Sequence, residues 1–524
     1  MRIRVMAMIC LFLATLLLAT ARAHSDSSSA SPGALGQVAN ATPNPMSREV
    51  IFSPSATELN NPTTPAGSDP PSQFTIKADA FDAKGNPLAP SKNNPLHLEV
   101  YGAPDGVITP VKAKITSGDS ATFTYNGEFF PNNIVINGWI ADPKGGDAIG
   151  VTQVLQTNQP PCTLGARDFS VPLVSTLPDA LTIKAAVGYT TASTAKGHLE
   201  KYTIDTGSLG VIVTAGDLPT NGAAGTMAIG PGGRGVKCYD SSNKAYFGDY
   251  YLSPVDIQVI SGSSTTTVQT IPIVVLGANK YCKVSDCKSL TQISCVNNSP
   301  IHYMGVGFNR NSTAAGDLFD SPAENAFLHV TDGTNGTDIN PGYILSPADH
   351  TTPTGVILGI DDTTGYNLIS LTADANVRGD WQAQPACYGF PDLPPPNQFC
   401  KGTSSPATAL LDVGISEMFL DLPFGQRPAG TYDAANPKDL KVPAGLRVNV
   451  VMGSVDNPAL SYTFTTVQEP TSPSGPAPKY AEWIDTTDTG SVFVNTGRNP
   501  LNGFDYLYGG QCGLVGFKAL WEQF

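Results

Sequence analysis

Alternation of apolar and polar residues along short segments dominates the chain, and helical spacing is rare. The alternation is clearest in the runs 74–80, 96–100 and 121–125, where an apolar side chain stands at every second position. Period-two alternation is typical of half-buried strands, and turn residues separate the runs. The pattern predicts a small β-sandwich over residues 74–157.

Residues 162–524 are also mostly β in pattern. The best short helix is predicted over residues 321–330, because Ser321 is a favourable N-cap and Pro322 suits the first helical position. The expected fold class is therefore mostly β, a small β-sandwich followed by a larger all-β domain.

The first 73 residues lack this alternation. Arg2 and Arg4 precede an apolar run, 5–20, that ends in Ala-Arg-Ala at 21–23, the pattern of a signal peptide (1–23) cleaved before His24. The run is too short to favour a membrane span. Residues 24–73 are rich in Ser, Pro, Ala, Asn and Thr and predict a disordered linker, since such a segment buries too little apolar surface to offset the entropy of ordering.

Composition and charge narrow the class of protein. The 30 basic and 44 acidic residues give a net charge of −14, with no cationic face for a nucleic acid. Removal of the signal peptide takes away Cys10 and leaves eight of nine cysteines, an even number that suits disulfides in an oxidising compartment. We expect a secreted protein, periplasmic or extracellular, without a nucleic-acid partner, membrane span, cofactor or metal.

Two segments combine an apolar strand with an acidic turn. Residues 202–208 read Tyr-Thr-Ile-Asp-Thr-Gly-Ser, and residues 409–416 read Ala-Leu-Leu-Asp-Val-Gly-Ile-Ser. Two such elements are how a pseudo-symmetric, two-lobed protein brings two carboxylates together, here those of Asp205 and Asp412.

These segments, together with others in the same order, resemble the pepsin-like aspartic peptidases. The further matching segments are 304–308, 321–330, 355–361 with Trp381 after it, 492–497, 504–508 and 515–517. The resemblance covers about residues 181–517. It implies a bilobal pepsin-like all-β domain over 162–524, with lobes near 162–345 and 350–524. The turn at 82–87 is similar to one of bacterial immunoglobulin-like modules, although any all-β sandwich fits that region nearly as well.

The resemblance implies that Asp205 and Asp412 hydrolyse peptide bonds. Two carboxylates a few ångströms apart cannot both ionise, so they share one proton. The ionised carboxylate takes a proton from a bound water, and the protonated one donates to the developing oxyanion. Support of the catalytic loops is expected from Thr206, Gly207, Ser208, Gly414 and Ser416, with Tyr239 in the flap. A monomer with a polypeptide substrate or ligand in an interlobe cleft is expected.

Three positions depart from the family pattern. Val413 stands where a Thr or Ser usually matches Thr206, Ile212 replaces an expected Trp, and Tyr239 is followed by Asp-Ser-Ser rather than glycines. The Val413 departure favours a second hypothesis, a catalytically inactive binding protein that keeps the cleft for a protein or glycan, whereas the retention of both aspartates favours the peptidase. A third hypothesis is a surface adhesion protein whose N-terminal module binds.

A rival for the second aspartate is Asp488, since Asp-Thr-Gly-Ser at 488–491 matches the motif better than the segment at Asp412 does. Only 36 residues follow Asp488, too few for the rest of a lobe, whereas 112 follow Asp412. Asp488 is therefore interpreted as a turn residue.

The cysteines admit many connectivities, which the sequence does not resolve. Short spacing favours two local pairs, and the family topology, which brings the first and last strands of the domain into one sheet, implies an end-to-end pair. The expected pairs are Cys282–Cys287 and Cys387–Cys400 by spacing, Cys162–Cys512 by topology, and Cys238–Cys295 as the remainder.

Overall fold

The structure of the protein is a computed structural model. It describes residues 49–520 apart from 54–55, 60–71, 83, 85, 102–107, 126–133, 142, 144–146, 157–167, 190–197, 220–226, 229–234, 240–241, 298–299, 311–316, 320, 332–340, 348–354, 375–376, 378, 394–397, 401–406, 424–425, 429–440, 468–474 and 485–491. The predicted signal peptide, residues 24–48 of the predicted linker, Cys162 and Asp488 lie outside the described residues. Within the described part of the chain, no helix is long and apolar enough to cross a bilayer.

The N-terminal module is one hydrogen-bonded sheet of nine strands. In chain order these are β1 Glu49–Ser53, β2 Ala56–Leu59, β3 Ser72–Phe81, β4 Leu96–Tyr101, β5 Ile108–Thr109, β6 Lys112–Ile115, β7 Ser120–Tyr125, β8 Ile134–Ala141 and β9 Asp147–Gln156. The spatial order is β5-β7-β3-β1-β9-β8-β4-β6, with β2 beside β9. Apolar side chains from both ends of this order, such as Phe123 and Leu98, meet in one core.

The linker predicted over residues 24–73 is wrong for the segments that supply β1 and β2. Strand β1 pairs antiparallel with β3, with Val50 opposite Ala80, and its Val50 and Phe52 are buried in the core of the module. Two apolar side chains suffice here because the neighbouring strands provide both the hydrogen bonds and most of the core. The immunoglobulin-like character of this module stays a prediction.

The first lobe is a twelve-stranded sheet. Its strands are β11 Thr182–Val187, β12 Glu200–Asp205, β13 Leu209–Thr214, β14 Met227–Ala228, β15 Gly235–Tyr239, β16 Lys244–Ser253, β17 Val255–Ser261, β18 Ser264–Thr270, β19 Ile273–Val284, β20 Gln292–Asn297, β21 His302–Val306 and β22 Val330–Thr331. Strand β21 lies between β12, to which it is parallel, and β13, to which it is antiparallel. This arrangement aims the turn between β12 and β13 at one end of the sheet.

The second lobe is an eight-stranded sheet. Its strands are β26 Gln384–Gly389, β27 Gln398–Phe399, β28 Ala407–Leu410, β29 Met418–Asp421, β30 Arg447–Gly453, β31 Pro458–Thr465, β32 Ala481–Trp483 and β33 Phe493–Asn495. Strand β33 lies between β28, parallel, and β29, antiparallel. The second lobe thus repeats the arrangement of β12, β21 and β13.

A six-stranded sheet joins the two lobes. Its strands are β10 Phe169–Val171, β23 Gly342–Leu345, β24 Val356–Leu358, β25 Asn367–Ser370, β34 Phe504–Gly509 and β35 Leu514–Ala519, in the order β10-β24-β23-β34-β35-β25. Strand β10 contacts β17 of the first lobe, and β25 and β35 contact β31 of the second. One hydrophobic core, which includes Ile204, Tyr343 and Trp483, runs through all three sheets. The expected mostly β fold class is confirmed, and the larger domain consists of two lobes that repeat one strand arrangement.

The helix predicted over residues 321–330 is instead two 3₁₀ turns, Pro322–Glu324 and Ala326–Leu328; further 3₁₀ turns lie at Ala215–Asp217 and Asn499–Asn502. The Ser321 cap is present, since its hydroxyl accepts from Ala323 N at 3.3 Å. Asn325 then takes an extended conformation and donates to Val306 O at 2.7 Å. This tertiary hydrogen bond interrupts the helix that the cap begins.

Candidate active site

The first loop of the candidate site is the tight turn from β12 into β13. Tyr202 and Ile204 bury the entering strand, and Asp205 at its end is only 7% exposed. The Asp205 carboxylate accepts two hydrogen bonds from its own turn, from Gly207 N to Oδ1 at 2.7 Å and from Ser208 Oγ to Oδ2 at 2.6 Å. These bonds fix the orientation of the carboxylate relative to the sheet.

The second loop of the candidate site follows β28 and holds Asp412 in a similar way. Gly414 N donates to Oδ1 of Asp412 at 3.0 Å. The other oxygen, Oδ2, accepts from Nδ2 of Asn495 at 2.9 Å, and Oδ1 of Asn495 in turn accepts from Gly497 N at 3.0 Å. Asn495 belongs to β33, the strand beside β28. No motif in the sequence indicates that it is a residue of the candidate site.

The structure brings the two carboxyl groups together, so that each lies against the glycine of the opposite loop. A Cβ added at Gly414 would lie 2.6 Å from Oδ1 of Asp205 and 3.1 Å from Oδ1 of Asp412, and one added at Gly207 would lie 2.6 Å from Cγ of Asp412. Each loop therefore needs a glycine because the opposite carboxyl group occupies the place of a side chain. We call the Oδ1 atoms, which converge near Gly414, the inner oxygens, and the Oδ2 atoms the outer oxygens.

Burial, and then the charge of Asp205, raises the pKa of Asp412 to about 7. The hydrogen bond from Asn495 and the charge of Arg310 act in the opposite sense. Because the two carboxyl groups interact strongly, the raised pKa belongs to the pair. Below about neutral pH the folded pair therefore binds a proton.

One side chain ties the two loops to each other. Oγ1 of Thr206 donates to Leu411 O and accepts from Val413 N, the latter at 2.9 Å. Val413 is fully buried and has no hydroxyl with which to make the matching bonds in the other direction. The hydroxyl of the first loop thus bonds to the backbone of the second loop, but no hydroxyl at position 413 bonds back to the first.

Ser416, predicted to support the second loop, is not placed at Asp412. Its hydroxyl donates to Oε1 of Glu417 at 3.0 Å. The residue that corresponds to Ser208, one position after the loop glycine, is Ile415. The carbonyl of Val413 accepts from Nη1 of Arg498 at 3.1 Å, so a cation supports this loop from the second lobe.

Arg310 lies behind the loops, where it shares a small cavity with Thr206 and Leu411. Its Nε donates to Phe308 O at 2.8 Å. Burial lowers the pKa of Arg310, while the charges of Asp412, then Asp380 and Asp205, act to raise it. An arginine remains a cation at any ordinary pH, so the half-buried Arg310 places a positive charge near the pair. Arg310 stands two residues after the apolar segment 304–308. A charged residue so close to a buried strand is the one feature of the sequence that could have indicated it as a site residue.

Tyr239, the predicted flap residue, lies at the end of β15, near the loop that carries Asp205 and Ser208. Its ring packs against Tyr246 at 5.8 Å and Tyr303 at 6.1 Å between centroids. Burial, and then the charge of Asp205, raises the pKa of Tyr239 well above its ordinary value, and its hydroxyl lies near Ser208. Tyr239 is therefore a neutral phenol at the edge of the site.

Disulfides fasten the strands behind Tyr239. Cys238 on β15 pairs with Ala245 on β16, and Ala245 pairs in turn with Cys282 on β19. Cys282 also pairs, on its other side, with Cys295 on β20. The bonds are Cys238–Cys287 and Cys282–Cys295. The predicted pairs Cys282–Cys287 and Cys238–Cys295 are wrong, because the strand register, rather than the spacing along the chain, places Cys282 and Cys295 side by side.

The other two predicted disulfides have different outcomes. The pair Cys387–Cys400 is confirmed, and it joins β26 to the residue after β27. Cys512 is also disulfide-bonded, but Cys162 lies outside the described residues, so the end-to-end pair stays a prediction.

No family model matches the chain, and no curated protein matches it in sequence. Among solved structures, the chain is similar to an aspartic proteinase from Irpex lacteus, with 13% identity, a TM-score of 0.37, and coverage of 67% of this chain and 97% of that one. It is also similar to the Basic 7S globulin from soybean, with 10% identity, a TM-score of 0.40, and coverage of 67% and 96%.

Proposed function

We propose that the protein is a secreted aspartic-type endopeptidase in which Asp205 and Asp412 activate a water molecule. The observation that carries the proposal is the pair of buried carboxyl groups, each held by an N–H of its own loop and each lying against the glycine of the opposite loop. Burial of two like charges at this distance is unfavourable unless one is neutralised by a proton. A pair with one proton and one negative charge supplies both an acid and a base.

The reaction needs both members of the pair. The ionised carboxylate takes a proton from water as the water oxygen bonds to the peptide carbonyl carbon, and the protonated carboxyl group gives its proton to the carbonyl oxygen. The carboxyl group that took the proton from water then gives it to the amide nitrogen, and the C–N bond breaks as the other carboxylate takes a proton from a hydroxyl of the intermediate, which releases an amine and a carboxylic acid. Substrates are polypeptides that bind in a cleft between the lobes. Secretion accords with the three disulfides among the described residues.

A second candidate function is that of a binding protein that uses the same cleft without hydrolysis. Val413 favours it, since among the described residues the Thr206 hydroxyl bonds from the first loop to the second and Val413 has no hydroxyl to make the reciprocal bonds. Loops that are held less firmly lower the rate of hydrolysis more than the affinity for a ligand, because catalysis depends on atomic positions accurate to a fraction of an ångström. The adhesion hypothesis for the N-terminal module has no such observation in its favour.

Digestion of a peptide library by the full chain at acidic pH, with and without a transition-state-mimicking inhibitor, tests the proposal. We expect cleavage that the inhibitor abolishes. An inert protein that still binds the inhibitor or a peptide would establish the binding function instead. Cleavage that the inhibitor leaves unchanged would show that another site is responsible.

A further inference from the structure

We propose that Arg498 is a specificity-determining residue that binds a carboxylate of the polypeptide substrate, either an acidic side chain near the bond to be cleaved or the terminal carboxylate. The proposal rests on the endopeptidase function above and names a class of substrate for the same cleft. It follows from a guanidinium group that two backbone carbonyls fix beside the Asp412 loop and that forms no ion pair among the described residues.

Two carbonyls from distant parts of the chain fix the guanidinium group of Arg498. Nε donates to Pro178 O at 3.1 Å, and Nη1 donates to Val413 O, also at 3.1 Å. Pro178 belongs to the turn before β11, a strand of the first lobe, whereas Val413 directly follows Asp412 in the second. The guanidinium group therefore lies where the two lobes meet, beside the peptide group that follows a carboxyl group of the pair.

Most of the hydrogen-bonding capacity of Arg498 is left over. Its planar fork has five N–H donors, and the two carbonyls use two of them. Both hydrogens of Nη2 and one of Nη1 have no acceptor within the described part of the chain. Arg498 is half-buried, so part of the side chain is open to solvent. A fork of this kind matches the two oxygens of a carboxylate.

The ionisable groups that act on Arg498 come from each element around it. Burial lowers the pKa of Arg498. The groups that act in the opposite sense, in decreasing order, are Glu417 and Asp412 of the second loop, Asp179 of the turn before β11, and Tyr303 of β21. Their charges attract the guanidinium group from a distance, since none of the described carboxylates forms an ion pair with it.

Glu417, the acidic group with the largest effect, is held by its own loop instead. One carboxylate oxygen accepts from Ser416 N at 3.1 Å, and the other accepts from Ser416 Oγ at 3.0 Å. Arg498 is thus a fixed cation that lacks an anion in direct contact. Because the anionic groups of a polypeptide are carboxylates, a substrate that places one at this point gains charge-assisted hydrogen bonds.

The preference should depend on the ionisation of the substrate. Acidic side chains have an ordinary pKa of about 4 and terminal carboxyl groups one of about 3.5, whereas arginine stays charged throughout. The preference for a carboxylate should therefore be complete above about pH 5 and disappear as the pH falls below about 3, when the substrate carboxyl group is protonated.

The experiment compares hydrolysis, by the full chain, of peptides that differ in a single group. One series carries Glu or Gln at each position near the cleavage site, and another has a free or an amidated C-terminus. At about pH 5.5 we expect kcat/KM to be about 10- to 100-fold higher for one carboxylate peptide than for its neutral match, mainly through KM, the scale of hydrogen bonds to a charged group.

In Arg498→Gln this ratio should fall to about one. Arg498→Lys keeps the charge but loses the fork, so it should give an intermediate ratio. The matched control is Arg447→Gln, which removes an exposed arginine paired with Asp392 in the second lobe and should keep the wild-type ratio. The ratio separates recognition from support of the loop, because loss of the bond to Val413 O would slow hydrolysis of both peptides alike.

Sensitivity to Glu against Gln identifies a side chain as the source of the carboxylate, and sensitivity to amidation identifies the terminus. A wild-type ratio near one for every pair of peptides would overturn the proposal. A ratio that Arg498→Gln leaves unchanged would overturn it too, and Arg498→Lys provides the same criterion if Arg498→Gln does not fold. If the wild type hydrolyses no peptide, the peptidase is refuted, and the ratio of Kd values for the same peptides, measured by fluorescence anisotropy, decides the role of Arg498.

Discussion

The two aspartate loops place their carboxyl groups in matching positions by different means. Among the described residues, the hydrogen-bond donors to Asp205 come from its own turn, Gly207 and Ser208. Asp412 receives only one bond from its turn, and its outer oxygen depends on Asn495 from another strand. In the second loop Ile415 stands where the first loop has the donor Ser208, and Asn495 from a neighbouring strand donates to the corresponding carboxylate oxygen instead.

The loops also differ in how they hold each other. The first loop contributes the Thr206 hydroxyl, which bonds to the backbone on both sides of Asp412. The second loop contributes Val413, a buried apolar side chain. The second loop is thus positioned by its neighbours, and the first largely by its own residues.

The largest expected effect comes from removing either charge of the pair. Asp205→Asn and Asp412→Asn should each lower acid-pH proteolysis by at least about 10³-fold, as expected when one member of a catalytic unit is lost. Thermal stability should change little or rise, because repulsion between two buried carboxylates is relieved. Steady-state hydrolysis and thermal melts of both variants check this.

Asp488→Asn is the control for these substitutions, since Asp488 carries the same Asp-Thr-Gly-Ser motif as Asp205. It should retain wild-type activity. A folded Asp488→Asn protein without activity would show that the second aspartate was assigned to the wrong motif.

The glycines test whether the two loops approach each other equally closely. A methyl group at Gly207 would lie 2.6 Å from the Asp412 carboxyl carbon, and one at Gly414 would lie 2.6 Å from Oδ1 of Asp205. Alanine at either position should lower kcat by about 10²-fold, the scale of a displacement near 1 Å in a catalytic group. If only one of the two substitutions has this effect, the loops are less symmetric than the structure indicates.

The pH dependence of stability tests the protonation of the pair. The pKa of Asp412 is raised from 3.8 to about 7 by burial and the charge of Asp205, so the folded state binds a proton that the unfolded state releases. Its stabilising contribution is complete below pH 3.8 and is lost as the pH rises through about 7. The Tm should fall between pH 4 and 7. In Asp412→Asn the fall should be smaller, although Asp256 and Asp380, each with a pKa of about 6, still contribute. An unchanged slope would mean that the pair does not hold the proton.

The smallest effects concern the contact between the loops. Thr206→Val should lower the free energy of unfolding by about 1–3 kcal/mol, because two buried backbone groups lose their partner. Val413→Thr should change it by less than about 1 kcal/mol, since a new buried hydroxyl is favourable only where it finds partners. Denaturant unfolding measures both, and a larger effect at Val413 than at Thr206 would reverse the comparison.

Local pattern was enough to identify several features of this protein. Alternation of apolar and polar residues predicts the strands, as at residues 74–80. The sequence also indicates the two aspartates of the candidate site, because each ends an apolar strand and precedes a glycine turn. The Ser321 cap was also visible, although the helix it begins is interrupted when Asn325 bonds to Val306. These features depend on neighbours within a few residues, which the sequence contains explicitly.

Only the tertiary structure decided which distant residues meet. Asn495 looks like the end of an ordinary strand until β33 pairs with β28, and Cys282 pairs with Cys295 only because the register of β19 and β20 sets them opposite. The same holds for Arg310 behind the loops. A shift of one residue in register turns every side chain of a strand to the other face, so contacts between strands follow from the assembled sheets and cannot be derived from spacing along the chain.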